Sequence, residues 1–135
     1  IQAQILDLMM NLKEKRTNSA ILLITHDLAV IAETCDRVIV MYGGVIQEIA
    51  SVHELFKNPI HPYTKALMES IPKMETDEKR LKSLKGMVTS ILDLDDGCKL
   101  CSRFEQEECA CGGTKVEPDL IPVNDDHYAR VNLND

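Results

Sequence analysis

The sequence has few aromatic residues and no long apolar run. It contains no tryptophan, three tyrosines and two phenylalanines, so stacking of nucleic-acid bases on aromatic side chains is not expected. No uninterrupted apolar run is longer than that from Ala20 to Ile24, which is far short of the roughly 20 residues that a membrane-spanning helix needs. Any association with a membrane is therefore expected to go through a partner protein.

The sequence also lacks an excess of basic residues, and its acidic excess lies at one end. Residues 1–87 carry 11 basic and 11 acidic side chains, whereas residues 88–135 carry 4 basic and 11 acidic ones. The whole net charge of −7 therefore lies in the second segment. An acidic segment repels phosphate groups, which argues against nucleic-acid binding by this part of the chain.

Local patterns predict alternating helices and strands over the first 70 residues. Apolar residues at spacings of three and four predict a helix from Ile1 to about Lys15. The continuously apolar segment Ala20–Ile24 predicts a strand buried on both faces, which ends at His26. The remaining predicted elements are a helix capped by Thr25 or Asp27, a hairpin of Arg37–Tyr42 and Val45–Ile49 around Gly43-Gly44, a helix opened by the capping box Ser51–Glu54, and a helix beginning at Pro62.

Beyond these elements the chain changes character. Residues 73–85 are strongly charged and are predicted to be a solvated linker or an exposed helix. From Gly86 onward the chain is loop-rich and acidic, with few apolar residues after Leu100. Such a segment is expected to need a covalent or metal cross-link to be ordered.

Cysteine supplies a candidate for that cross-link. Four of the five cysteines fall within 14 residues, in the pattern Cys98-x2-Cys101-x7-Cys109-x-Cys111. With no secretory signal in view, a metal site is favoured over a disulfide framework. Four thiolates can enclose one tetrahedral metal ion or one cuboidal iron–sulfur cluster. The alternative is four free cysteines in an unordered tail.

Two motifs give the chain a family resemblance. Leu23-Ile24-Thr25-His26-Asp27 resembles the switch-histidine segment of ABC ATPases. Asn58-Pro59-x-His61-Pro62-Tyr63-Thr64-x-x-Leu67 resembles the opening of the C-terminal extension of peptide and nickel importer ATPases. Together with Gly97-Cys98, these motifs are similar to the ATP-binding subunits of bacterial oligopeptide and dipeptide ABC importers. The resemblance covers roughly residues 1–111, beginning just after the D-loop of that family.

The resemblance implies an α/β fold. We expect the C-terminal part of a P-loop ABC-type nucleotide-binding domain in residues 1–57. A small, irregular, cysteine-containing extension of the oligopeptide-transporter type is expected in residues 58–135. In the family the switch histidine contacts the γ-phosphate of ATP and helps to position the attacking water. The resemblance therefore assigns the catalytic and the nucleotide-binding role to His26 alone.

The resemblance also implies ATP and Mg²⁺ as cofactors of the complete protein. This chain contains no Gly-x-x-x-x-Gly-Lys-Ser/Thr loop to hold phosphates. In the family that loop, the Mg²⁺-binding aspartate and the catalytic glutamate lie upstream of the segment that Ile1 begins. The chain is therefore expected to be a C-terminal fragment that alone neither binds ATP tightly nor hydrolyses it.

A further cofactor is implied for the extension, where related importers often carry four cysteines that hold a 4Fe–4S cluster. We expect such a cluster here, with zinc as the alternative. The expected ligands are Cys98, Cys101, Cys109 and Cys111. The sequence departs from the family pattern, in which the first three cysteines are spaced more widely and the fourth follows a histidine near the end. Here the segment from His127 to Val131 resembles that ending, with Val131 in place of the cysteine.

The implied partners are a second ABC ATPase subunit, in a homodimer or heterodimer, and transmembrane permease subunits, with a peptide-binding protein as an indirect partner. The implied location is peripheral, on the cytoplasmic face of the bacterial inner membrane. Two alternatives stay open. The chain could serve an importer of nickel, or its cysteine cluster could make it a metal-binding or redox-sensing interaction module.

Overall fold

The structure, a computed structural model, describes residues 2–71, 90, 94, 96–104 and 108–132. In chain order its elements are α1 (Gln2–Lys15), α2 (Leu28–Thr34), β1 (Arg37–Tyr42), β2 (Val45–Ser51), α3 (Val52–Lys57), α4 (Pro62–Glu69), β3 (Leu120–Asn124) and β4 (His127–Arg130). The chain divides into two compact units, Ile1–Asp36 and Arg37–Asp135. The charged segment 73–85, which the sequence predicts to be a linker or an exposed helix, lies outside the described residues. Within the described part of the chain, no helix is long and apolar enough to cross a bilayer.

The first unit contains the two predicted helices. Asp27 caps α2, because its Oδ1 accepts hydrogen bonds from the backbone N–H groups of Ala29 (2.9 Å) and Val30 (3.2 Å). These are among the N–H groups that the start of a helix leaves without a partner. Asp27 is therefore explained by local structure, as one of the two capping residues that the sequence predicts.

The prediction of a buried strand at Ala20–Ile24 is wrong. The segment forms no strand, and Leu22 and Ile24 are 83% and 90% exposed. A strand buried on both faces needs a hydrogen-bonded neighbour on each side, and the sheet of the described residues consists of β1 to β4 alone. The apolar stripe of α1 is exposed as well, with Leu8 at 64%. In the first unit, the apolar residues of α1 and of Ala20–Ile24 are therefore suited to burial but remain largely exposed.

The predicted glycine hairpin is confirmed in the second unit. β1 and β2 pair antiparallel, with Tyr42 opposite Val45. Gly43 and Gly44 in the turn between them have φ angles of 58° and 78°. A tight turn that follows the strand twist needs positive φ at both positions, which glycine adopts without steric cost. Along β1 every second residue is buried, so one face of the hairpin packs into the core.

The C-terminal segment adds two strands to this hairpin, which corrects the expectation of an irregular extension. The sheet has the order β1-β2-β4-β3, and all neighbouring strands are antiparallel. β4 joins β2 with Glu48 opposite Ala129 and Ile49 opposite Tyr128. β3 lies at the edge and contains Pro122, which an edge strand tolerates because proline has no N–H to donate to a ladder. The mixture of helices with a small antiparallel sheet fits the coarse α/β expectation.

The pairing of β2 with β4 joins residues on both sides of the boundary predicted at residues 57 and 58. The second compact unit accordingly extends from Arg37 to Asp135. The predicted division assigns residues 1–57 to the ATPase domain and residues 58–135 to the extension. It is not a division into compact units, and it stays a prediction.

One buried carboxylate links three segments of the second unit. Glu48 on β2 is fully buried and accepts hydrogen bonds from the backbone N–H groups of Ile60 (2.8 Å) and His61 (3.1 Å). On β4, Nε2 of His127 lies 2.6 Å from Glu48 Oε1. A buried charge is tolerated only where polar partners replace water. Glu48 therefore fixes both β4 and the loop before α4 onto β2.

Replacing Glu48 by glutamine is expected to destabilise the second unit strongly. The glutamine amide NH₂ is a donor, so it would take the place either of Oε1, which faces Ile60 N–H and the His127 ring, or of Oε2, which faces His61 N–H. We expect the free energy of unfolding to fall by about 3 kcal/mol, as when one partner of a buried ion pair is removed. Chemical denaturation followed by circular dichroism measures this loss.

Asp125→Asn provides the matched control, because Asp125 is an exposed carboxylate in the turn between β3 and β4. Its expected effect is below about 0.5 kcal/mol. Equal losses of stability in the two variants would contradict the role given to Glu48.

Candidate functional site

The four clustered cysteines come together around one point. Their sulfur atoms all lie within 4.8 Å of one another. The Sγ–Sγ distances are 3.4 Å for Cys98–Cys109, 3.7 Å for Cys101–Cys109, 3.3 Å for Cys101–Cys111 and 3.5 Å for Cys109–Cys111. All four are free thiols, three of them buried and Cys101 half-buried. Four soft ligands around a common centre can hold a thiophilic metal.

Tight backbone turns position these thiols. In the first loop Cys101 N donates to Cys98 O at 3.3 Å, and in the second loop Gly112 N donates to Cys109 O at 2.9 Å. Gly112 and Gly113 have φ angles of 58° and 83°, which residues with a side chain rarely adopt. The paired glycines therefore let the second loop turn directly after its last cysteine.

The first cysteine loop is held against the chain that leaves the second one. Cys98 N donates to Lys115 O at 2.9 Å. A Cβ placed on Gly97 would lie 2.2 Å from the same oxygen, closer than any real contact. Glycine at position 97 is therefore required for the two backbones to approach.

Backbone N–H groups also point at the sulfur atoms. The N–H of Leu100 donates to Cys98, and the N–H of Cys111 donates to Cys109. Hydrogen bonds of this kind stabilise the thiolate, which is the form that binds a metal, and they orient the ligand atoms. The cluster therefore has both the ligands and the outer hydrogen bonds of a metal centre.

Without a cation, most of these thiols hold their protons. Burial raises the pKa of Cys98 and of Cys101 to about 12, and that of Cys109 to about 11. For Cys111, burial also acts to raise the pKa, but hydrogen bonds with the Cys101 and Cys109 thiols and with backbone N–H groups lower it to about 7. A bound cation would displace protons from the thiols, as metals generally do on binding cysteine.

The cysteine cluster is also part of the hydrophobic core. Tyr42, at the end of β1, and Leu100 are buried with it, and Tyr63 and Phe104 pack around it. The rings of Tyr42 and Tyr63 are tilted by 57°, with centroids 4.9 Å apart. The candidate metal centre therefore joins the tip of the β1–β2 hairpin to the start of α4.

Val131, at the position where the family resemblance implies a fourth cysteine, serves packing. It is 9% exposed and packs with Ala110, which lies between Cys109 and Cys111. The next residue, Asn132, donates from its backbone to Ala110 O (2.9 Å) and from its side chain to Cys111 O (2.8 Å). The end of β4 is therefore bonded directly to the second cysteine loop.

His26 lies in the first unit, in the bend before α2, and is exposed. The side chain of Thr25 accepts a hydrogen bond from Asp27 N at 3.1 Å, while Asp27 caps the helix. The side chains on either side of His26 thus both accept hydrogen bonds from backbone N–H groups. His26 and the cysteine cluster belong to different compact units, and the catalytic role of His26 stays a prediction.

The His-Pro-Tyr segment has the structural role that ordinary helix-start chemistry predicts. Pro62 is the first residue of α4, and Nδ1 of the fully buried His61 accepts a hydrogen bond from Tyr63 N at 3.2 Å. Burial lowers the pKa of His61 to about 4, against the opposing effect of the Glu48 charge. The ring must be neutral to cap the helix, because a protonated Nδ1 cannot accept.

Comparison with known proteins gives these features a family. Residues 47–111 match the family described as "Oligopeptide/dipeptide transporter, C-terminal region". The chain belongs to this transporter family. The matched region includes most of β2 with Glu48, the His-Pro-Tyr segment and all four clustered cysteines.

Individual relatives are ATP-binding proteins of peptide transport. The oligopeptide transport ATP-binding protein AppD of Bacillus subtilis is 48% identical over 111 residues, 82% of this chain and 34% of the relative. The dipeptide transport ATP-binding protein DppD is 44% identical over 122 residues in Haemophilus influenzae (89% of this chain, 36% of the relative) and 46% over 103 residues in Escherichia coli (76% and 31%). The chain therefore spans about one third of the length of these relatives.

The buried neutral His61 predicts a pH-dependent stability. Its pKa is about 4 in the folded chain and 6.5 ordinarily, so the unfolded chain binds the proton first as the pH falls. The stability that the neutral ring contributes is present above pH 6.5 and is lost as the pH falls toward 4. The full loss is about 3 kcal/mol. Denaturant titrations between pH 7 and pH 4 measure it.

Two variants isolate this effect. His61→Asn keeps a capping side chain that does not titrate, so the loss between pH 6.5 and 4 is expected to shrink. His53→Asn changes an exposed residue of α3 and is expected to leave the pH profile as it is. The charged groups facing His61, which are Glu48 of β2, Arg130 of β4 and Lys65 of α4, are unchanged in both. Identical profiles for the wild type and His61→Asn would refute the assignment.

Proposed function

We propose that this chain supplies the C-terminal part of an energy-coupling ATPase subunit of a bacterial peptide importer. The observation that carries the proposal is the family match over residues 47–111, together with 44–48% identity to relatives named for peptide transport. Residues 1–57 would then belong to a P-loop ABC-type nucleotide-binding domain and residues 58–135 to the transporter-specific extension. The names of these relatives favour peptides over nickel as the cargo.

In this proposal His26 is the switch histidine. An imidazole can donate a hydrogen bond to a γ-phosphate oxygen from one nitrogen and accept one with the other. Phosphoryl transfer depends largely on such positioning and on stabilisation of charge. The exposed position of His26 just before α2 supports the assignment, because the ring is accessible to a nucleotide.

ATP and Mg²⁺ would be bound by the complete subunit, since the sequence of this chain has no phosphate-binding loop. The complete subunit would pair with a second ATP-binding subunit, identical or related, and would drive two transmembrane permeases. A peptide-binding protein would act with it indirectly. Its place would be peripheral, on the cytoplasmic face of the inner membrane.

We also propose that the extension binds a metal cofactor through Cys98, Cys101, Cys109 and Cys111. The common centre of the four thiols and the N–H groups directed at the sulfurs support this role. Family resemblance points to a 4Fe–4S cluster, whereas the ligand set suits zinc equally. The relatives are named for peptide transport, so the alternative of a separate metal-binding or redox-sensing interaction module is not supported.

A chimeric ATPase tests the importer proposal. The C-terminal region of the Escherichia coli relative that matches this chain would be replaced by the corresponding residues of this chain. The chimera is expected to restore dipeptide uptake in a strain that lacks the relative. His26→Ala in the purified chimera is expected to lower ATP hydrolysis at least about 100-fold, the lower end for loss of a positioned proton-transfer group, while ATP binding is retained.

His53→Ala is the matched control, because His53 is an exposed histidine of α3, and it is expected to leave hydrolysis unchanged. A chimera that binds ATP and hydrolyses it normally without His26 would contradict the proposed role of the histidine. A stable chimera that assembles with the permeases but supports no uptake would contradict the role of the whole segment.

A further inference from the structure

We propose that the four cysteines hold a single tetrahedral ion, Zn²⁺, and not the 4Fe–4S cluster that the family resemblance implies. The inference rests on the proposed metal-binding role of the cysteines, but it does not depend on the importer role. Three observations carry it: the distances between sulfur atoms, the way in which the two cysteine loops are fixed, and the side chain at position 131.

The sulfur distances match the coordination sphere of one ion. Zinc–sulfur bonds of about 2.3 Å in a tetrahedron place the sulfur atoms about 3.8 Å apart. The shortest distances observed are 3.3 to 3.7 Å, and no pair exceeds 4.8 Å. The sulfur atoms are therefore spaced to surround one cation, and small movements of the side chains, outward for the closest pairs, would give the ideal tetrahedron.

The same distances do not fit a cuboidal cluster. In a 4Fe–4S centre each cysteine binds a different iron, so the four thiolates lie outside four separate corners of a body of eight atoms. Sulfur atoms that are almost in contact with one another leave no space for such a body. To admit it, all four thiols would have to move apart together.

The backbone resists that movement. The two loops are tied to each other by the hydrogen bond from Cys98 N to Lys115 O, at the point where Gly97 allows the closest approach. The second loop is tied to the end of β4 by the two hydrogen bonds of Asn132. Moving the four thiols apart would therefore break hydrogen bonds at both cysteine loops, and these hydrogen bonds hold the cysteines in position.

The side chain at position 131 supports a site for a single ion. An iron–sulfur site of the family type would take its last ligand from the segment that follows the histidine. Here Val131 packs against Ala110 in that place, and all four thiols come from two short loops. Ligands drawn from Cys98-x2-Cys101 and Cys109-x-Cys111 are close in the chain, as in closed structural zinc sites.

Metal content decides between the two cofactors. The chain is produced in medium that contains both iron and zinc salts and is purified without oxygen or chelators. Elemental analysis is expected to find about one zinc per chain, with neither iron nor acid-labile sulfide and no visible colour. About four irons per chain with a broad brown absorbance would overturn the inference while leaving the metal-binding role intact. Protein that takes up no metal even with added zinc would overturn both.

Cobalt reports the geometry directly. The protein loaded with Co²⁺ alone is expected to show the intense visible bands of tetrahedral thiolate coordination and to lose them on addition of zinc. A spectrum of weak bands, typical of six-coordinate cobalt, would contradict the four-sulfur site. Neither the cobalt nor the zinc result bears on the importer proposal, which the chimera tests.

Single substitutions identify the ligands. Cys101→Ser and Cys111→Ser are each expected to lower zinc affinity by more than about 100-fold, because the loss of a ligand exceeds the effect of losing its outer hydrogen bonds. Competition with a chromophoric chelator measures the change. Cys35→Ser, at the cysteine outside the cluster, is expected to keep the full affinity. A variant that binds zinc too weakly to titrate shows the expected loss, whereas a variant with unaltered zinc affinity and an unaltered cobalt spectrum would overturn the assignment.

Discussion

A buried carboxylate determines how the second unit is assembled. Glu48 accepts hydrogen bonds from the loop before α4 and contacts His127 on β4, so the extension is built onto the hairpin. The carboxylate without these partners would be a buried charge facing apolar side chains, which costs several kcal/mol. The three segments must therefore form together. This explains why His61 does more than begin a helix: its backbone binds Glu48 and its neutral ring caps α4.

The cysteine cluster is the second place where the same segments meet. Tyr42 from the hairpin and Tyr63 from α4 pack against it, and Asn132 connects it to the end of β4. The described part of the extension has a small core, and a unit of this kind generally needs a cross-link to be stable. In the proposed importer subunit, the metal would hold the extension on the hairpin and would take no part in ATP chemistry. A single ion whose four coordination positions are all filled by cysteines serves that purpose.

Local signals predicted most of the local structure. The Gly43-Gly44 turn, the Asp27 cap and the start of α4 at Pro62 follow from chemistry within a few residues, and all three are observed. Four cysteines within 14 residues likewise predicted the candidate metal centre. The failures concern long-range contacts. Ala20–Ile24 has the composition of a buried strand but no strand pairs with it in the sheet of the described residues, whereas β3 and β4 lack strong periodicity and form because β2 supplies a partner. The only sequence signal for Glu48 was an acidic residue within a strand that carries no other charge.

Hydrogen exchange with and without metal tests the central claim that Glu48 and the cysteine centre together fold the extension onto the hairpin. Backbone exchange would be followed by mass spectrometry in the zinc-loaded chain and in the chain stripped of metal. We expect removal of the metal to speed exchange in the cysteine loops, in β4 and in β2, since hydrogen bonds connect these three segments. Faster exchange in the cysteine loops alone, with β2 and β4 unchanged, would contradict the account.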